Sequence, residues 1–202
     1  MESDILRLNQ KFYQKDAVQT AKDLLGKIIV RKYYGKTIKV KIVETEAYCG
    51  AEDKASHAYN NKKTKRTAPM FKEGGHSYIY LIYGMYYCFN VVTASENNPH
   101  AVLIRAVEPL TGIKQIKENR QIKSSRTEDL TNGPGKLSQA LKINKSLDGC
   151  SLVENSSLYI IDGSAENFEI NSSPRVNIDY AEEYKDKKWR FFIKNNKYIS
   201  KS

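Results

Sequence analysis

Cysteine is scarce in this chain of 202 residues: Cys49, Cys88 and Cys150 stand far apart, and no CxxC occurs. That pattern gives no disulfide framework and no cysteine-built zinc cluster, and isolated thiols mostly behave as small hydrophobes. Histidine is equally sparse. His57, His76 and His100 make no HExxH or related spacing, so no metal is expected. No run of 18 apolar residues is present, which argues against a membrane span and a membrane partner. The opening MESDILRLNQ lacks the basic start and apolar stretch of a signal peptide, so cytoplasmic retention is the expectation. Internal repeats and a linker that would divide the chain are also missing, and a single domain over 1–202 is expected.

Positive charge is what the chain has in excess. Thirty-three Lys+Arg against 23 Asp+Glu give a formal net charge of +10. Such a field concentrates polyanions, nucleic acid above all. A low-GC coding bias would raise lysine and asparagine without any such role, so charge alone does not decide function.

Hydrophobic periodicity suggests a mixed fold. Asp16 is a good N-cap for a helix over AVQTAKDLL, with Gly26 as its stop. KIIVRKY and TIKVKIVETEAY suggest two strands joined through Tyr34–Gly35–Lys36. AEDKASH suits a short helix, and YNNKKTKRTAP (59–69) an exposed basic loop. HSYIYLI and MYYCFNVVTA suggest a hairpin turning at Tyr83–Gly84, and AVLIRAVEPL a buried strand interrupted by Arg105. The lysine-rich stretch 111–130 suits a surface helix and loop. NGPGKLSQAL (132–141) is a turn entering a helix, Ser157–Asp162 and Arg175–Asp179 are expected as late strands, and the WRFF of the tail is expected to dock on the core.

Chemistry concentrates in IVETEAYCGAEDKASH, residues 42–57. Period two places Glu44, Glu46 and Tyr48 on one side of a strand, and acids on a core-facing side need a reason, because unpaired buried charge is costly. Glu46 is a candidate general base; a salt bridge from either acid to a lysine such as Lys41 is the competing explanation. His57 alone is weak evidence. SYIYLIYGMYYCFN (77–90) adds tyrosines at 78, 80, 83, 86 and 87. They either cover a core edge or offer rings on which bases stack, but Tyr83 at a hairpin tip projects where a core residue would not go. NGPGK is not a Walker A loop; it is either a plain helix start or a place where Lys136 and backbone N–H groups hold one phosphate.

Taken together these segments resemble the 3-methyladenine DNA glycosylases of the alkyladenine (alkylpurine) family. IVETEAYCGAEDKASH, APMF (68–71), YIYLIYGMYYCFN, VLIRAVEPLTG, NGPGKLSQALKINKSLDG and SPRVNI follow that family's order over residues 42 to 178. VETEAY followed by YxYxIYGMYxCxN is a highly specific combination. The resemblance implies one mixed α/β (α+β) domain with a curved, largely antiparallel β-sheet surrounded by helices. It implies a monofunctional base-excision enzyme without a cofactor, acting as a monomer on double-stranded DNA that contains alkylated or deaminated purines. The bases would be 3-methyladenine and 7-methylguanine, with hypoxanthine and ethenoadenine as further candidates.

By the same resemblance Glu46 activates the water that attacks C1′, and Arg105 helps to hold that water. Tyr48, His57 and Tyr80 surround the flipped base, while Asn90 crowds the exocyclic amino group of guanine. Tyr83 enters the minor groove and Met70 lies near the opposite strand; Tyr86 and, from the NGPGK turn, Lys136 are the further candidates for contact with DNA. Two departures stand out: the lysine-rich loop NNKKTKR where some relatives carry arginines, and Cys49 after Tyr48. Rival readings are a tyrosine-rich single-strand binder without catalysis, which gives Glu46 no task, and a glycosylase/lyase using a lysine amine.

Overall fold

The computed structural model describes residues 7–122, 126–163 and 167–200. Eight strands form one sheet: β1 Ile28–Tyr33, β2 Lys36–Cys49, β3 Ser77–Ile82, β4 Tyr86–Thr93, β5 His100–Thr111, β6 Leu158–Ile161, β7 Ile170–Ser173 and β8 Arg190–Ile193. The main order is β3-β4-β5-β2-β1-β6, with β8 joining β2 to β7. Every pairing is antiparallel. Among the described residues four short α-helices accompany it: α1 Gln10–Tyr13, α2 Ala17–Asp23, α3 Ile113–Arg120 and α4 Pro134–Ala140. The expected antiparallel sheet with helices around it is what the chain forms.

Local chemistry accounts for the element ends. The Asp16 carboxylate accepts from Gln19 N at 2.9 Å and caps α2, whose Ala17, Thr20 and Ala21 are buried. Thr45 Oγ1 donates to the Ala21 carbonyl at 2.9 Å, fastening α2 to β2. The β3–β4 hairpin turns through Tyr83 (φ +53°) and Gly84 (φ +67°). Two successive positive φ values suit a tight hairpin; glycine takes one without strain, and Tyr83 accepts the other at the tip.

The long strand β2 organises the molecule. One edge pairs with β5 along its length; the other pairs with β1 and, from Glu44 to Glu46, with β8. Three register shifts interrupt the β2–β5 ladder, one between Lys39 and Val40 and two beside the acids. Pairing passes from Ile42–Val107 to Glu44–Ala106, skipping Val43, and then to Thr45–Ile104, skipping Arg105. Each strand contributes one extra residue, so the register recovers while Arg105 is aimed away from the regular ladder. Every residue from Ile42 to Ala47 is buried, because both faces of β2 are covered there.

Several sequence expectations are corrected. AEDKASH forms turns and not a helix: Asp53 turns inward, accepting from Cys49 N and Ala55 N at 3.0 Å each. Arg175–Asp179 is not a strand, since Val176 N donates to a side chain and not to a neighbouring strand. The strand expected over Ser157–Asp162 forms as β6, the further late strands are β7 and β8, and the WRFF cluster docks by supplying β8. In the basic loop 59–69, Thr67 and Pro69 are buried while 60–66 stay exposed. The helix expected within 111–130 is α3; residues 123–125 of that stretch lie outside the described residues.

Candidate active site

The two acids of β2 share a partner. Arg105 Nε donates to Glu44 Oε1 at 2.9 Å, and its Nη1 lies 3.2 Å from Glu46 Oε1. Glu44 and Glu46 are both 0% exposed. The expectation that Glu44, Glu46 and Tyr48 share a side holds, for Tyr48 OH donates to Glu46 Oε2 at 2.9 Å. The competing lysine pair is not what balances these acids. Arginines do so, and Lys41 pairs with Glu108 at 3.2 Å.

Glu44 is closed on all sides. Besides Arg105 it accepts from Arg190 Nε at 2.7 Å, from Ser200 N at 2.7 Å and from Ser200 Oγ at 2.9 Å. Ser200 Oγ also accepts from Arg105 Nη2 at 3.0 Å, and Arg190 Nη2 donates to the Ser200 carbonyl at 3.1 Å. This network clamps Arg105 from the side away from Glu46. Burial alone would lower the pKa of Arg105, but Glu46 and Glu44 more than offset that and hold it charged.

Glu46 is held differently. Val176 N donates to its Oε1 at 2.8 Å, Tyr48 OH to its Oε2, and Arg105 approaches Oε1. An ionised carboxylate offers about four lone-pair directions, so three donors leave one unfilled. Glu46 is also one of the residues lining a cavity of about 420 Å³, together with Arg105, Tyr48, His57, Tyr80, Asn90, Tyr83, Met70 and Tyr86. Every sequence-predicted site residue except Lys136 therefore lines one cavity.

The segment supplying Val176 is anchored by a buried pair that sequence reading did not single out. Arg175 and Asp53 form a two-pronged bridge at 2.6 and 2.8 Å, both side chains 0% exposed. The guanidinium lies 4.8 Å from the centre of the Tyr48 ring and also donates to the Ala47 carbonyl at 2.9 Å. Asp53 thus ties the turn after β2 to the segment that orients Glu46. With Glu44, Glu46 and Asp53 facing Arg105, Arg175 and Arg190, the buried charges of the region cancel.

The cavity wall is aromatic. His57 and Tyr80 meet edge to face with centroids 4.6 Å apart, and Tyr78 lies 5.4 Å from Tyr80. His57 Nδ1 is 2.9 Å from Tyr78 OH. Burial and then the nearby Arg66 push the His57 pKa down to about 4, so the ring is neutral at neutral pH. Burial followed by the charge of Glu46 raises the Tyr48 phenol well above its ordinary value, keeping it a proton donor to the carboxylate. Asn90, 3% exposed, is fixed by donating from Nδ2 to the Tyr78 carbonyl at 3.0 Å.

At the rim, Tyr83 is 71% exposed and Tyr86 packs against Gly135, where an added Cβ would come within 2.9 Å of the Tyr86 ring. Gly135 thus lets the start of α4 form part of the cavity wall. Two expected DNA contacts lie elsewhere than anticipated. Met70 is only 2% exposed, clustered with Ala58, Phe71, Tyr78, Val92 and Ala101, because the turn at Ala68–Phe71 folds it under the rings. Lys136 donates to Asn132 Oδ1 at 2.6 Å and braces the turn before α4, outside the cavity.

Comparison with known proteins agrees over nearly the whole chain. The family model described as Methylpurine-DNA glycosylase (MPG) matches residues 11–197. Three similar bacterial proteins each carry the name "Putative 3-methyladenine DNA glycosylase". One from Natranaerobius thermophilus is 53% identical over 96% of this chain and 99% of its own length. One from Clostridium botulinum (strain Alaska E43) is 50% identical over 96% and 98%, and one from Clostridium tetani is 50% identical over 97% and 100%.

Proposed function

This chain belongs to the methylpurine-DNA glycosylase family, and on that premise we propose that it removes alkylated purines from duplex DNA by a Glu46-activated water, without cutting the strand. As a member of the family it is a DNA glycosylase for alkylated bases, a hydrolase of N-glycosyl bonds. The substrates proposed are 3-methyladenine and 7-methylguanine, with hypoxanthine and ethenoadenine as further candidates.

The observation that carries this reading is a buried Glu46 carboxylate, held by Arg105, Tyr48 and Val176, in the lining of a ring-walled cavity. A base inside a duplex hides its glycosidic bond, so the nucleotide must rotate out at a cost of a few kcal/mol. Tyr83, exposed at its hairpin tip, suits the ring that fills the vacated stack and offsets part of that cost. Alkylation at N3 or N7 makes the purine cationic, and tyrosine faces attract a desolvated cation by ~2 kcal/mol or more. Tyr80 and Tyr48 supply such faces. Neutral His57 adds no repelling charge.

The reaction then needs little from the protein. Water adds to C1′ as the C1′–N9 bond breaks, and that bond's electron pair neutralises the departing purine. Glu46 accepts the proton the water loses. Arg105, clamped by Glu44 and Ser200, holds the water and fixes the carboxylate. Asn90, rigidly placed, opposes the exocyclic amino group of an undamaged guanine. Among the described residues no lysine lines the cavity, and strand cleavage through a Schiff base is not expected.

Incubation with methylated duplex DNA and chromatography of the freed bases tests the proposal. Released 3-methyladenine and 7-methylguanine, with no adduct trapped by borohydride on abasic DNA, are expected. Absence of base release would overturn the substrate, and a trapped adduct would overturn the monofunctional mechanism.

A further inference from the structure

In the free protein the ring-lined cavity already holds a cation, and the chain supplies it. Arg66 comes from the exposed basic loop, yet its guanidinium carbon lies 5.1 Å from the centre of the Tyr80 ring and its Nη2 3.4 Å from His57 Nε2. Its charge is also felt by Tyr78, whose phenol burial raises to about 12 while Arg66 pulls it the other way. Arg66 forms no ion pair with a carboxylate among the described residues; what it touches is His57 and the tyrosines. A guanidinium is planar, delocalised and weakly hydrated, as an alkylated purine cation is.

We propose that Arg66 is a specificity-determining residue: its guanidinium occupies the place of a cationic purine in the free protein, withdraws to admit one, and while in place fixes the tautomer of His57. The inference rests on the functional reading above. Arginine has donors and no acceptor, so toward Arg66 the Nε2 of His57 presents its lone pair. Neutral imidazole carries one N–H, which is then on Nδ1 and donates to Tyr78 OH across 2.9 Å. Departure of Arg66 frees the Nε2 lone pair as an acceptor inside the cavity. The displaced guanidinium, on a loop of exposed lysines, is then available to a backbone phosphate. An incoming base therefore has to outcompete a cation, and a neutral undamaged base does so less well than a charged one.

Two measurements without catalysis test this. The first is direct binding of 3,9-dimethyladeninium, which keeps its positive charge, and of neutral 9-methyladenine. Arg66→Ala is expected to bind the cation roughly tenfold more tightly than the wild type, because the ring faces are vacated. Arg66→Lys, which keeps the charge but loses the planar fork, should gain less. Unchanged or weaker cation binding by Arg66→Ala overturns the proposal. The second is the ¹⁵N spectrum of His57, expected to show the Nδ1–H form in the wild type and a shift toward Nε2–H in Arg66→Ala; an Nε2–H form in the wild type overturns it. Base release by the wild type is scored separately, so failure of the repair reading and failure of the Arg66 role give different results.

Discussion

Glu44 and Glu46 stand on the same strand, equally buried and touching the same arginine, yet they belong to different kinds of site. Glu44 meets two guanidiniums, a backbone N–H and a hydroxyl, and the C-terminal segment seals it from solvent. Glu46 meets one guanidinium, one backbone N–H and one phenol, and it belongs to the lining of a cavity. Burial and ion pairing do not separate a catalytic acid from a structural one. On the proposed reading what separates them is the cavity that Glu46 lines and Glu44 does not.

Stability gives the largest expected contrast. Glu44→Gln leaves Arg105 and Arg190 buried without their shared counter-charge and should cost about 3–5 kcal/mol in urea unfolding. Glu46→Gln keeps one acceptor oxygen for Val176 N, the Tyr48 hydroxyl can turn to accept from the new amide N–H, and Arg105 retains Glu44, so about 1 kcal/mol is expected. Equal losses would erase the distinction.

Function on the open side sharpens it further. Tyr83→Ser should weaken binding to a duplex carrying an abasic-site analogue by roughly 1–3 kcal/mol, the range of one lost stacking ring. Its exposed tip position predicts unchanged unfolding. Equal affinity for the analogue would remove Tyr83 from the interface.

The closed side reaches the open one through Ser200. Ser200→Ala should cost about 1–2 kcal/mol of stability by removing one buried hydroxyl between Glu44 and Arg105. If the clamp positions Arg105 against Glu46, single-turnover base release should also slow while DNA binding holds. Lower stability with an unchanged rate would confine Ser200 to the fold.

The last effect, absent at neutral pH, concerns His57. Its ring should titrate near pH 4 in an NMR series, below its ordinary 6.5. Between those values the unfolded chain binds a proton that the native ring refuses, so stability falls as pH drops through that window and is fully recovered above about 6.5. His57→Gln should flatten that part of the stability curve; an unaltered slope would deny His57 its neutral, buried state.

Much of this arrangement was legible in the chain because period-two patterning is local. The long strand bearing Glu46 and the hairpin presenting Tyr83 both follow from alternation and turn residues. What escaped depends on distant partners. Ile170–Ser173 carries little apolar patterning, and β8 is recognisable as a strand only by its pairing with β2 and β7. Arg175 and Asp53 lie 122 positions apart, and no spacing rule links them. The paired bulges at Val43 and Arg105 reverse no residue type that periodicity could register. Met70 was placed by resemblance alone, and its burial is a tertiary fact.

The most direct measurement is single-turnover release of 7-methylguanine from methylated duplex by Glu46→Gln, with duplex affinity taken on the same preparation. The account predicts a rate lower by about 10²–10⁴-fold at unchanged affinity. A rate within about threefold of the wild type would contradict it and remove Glu46 from the chemistry.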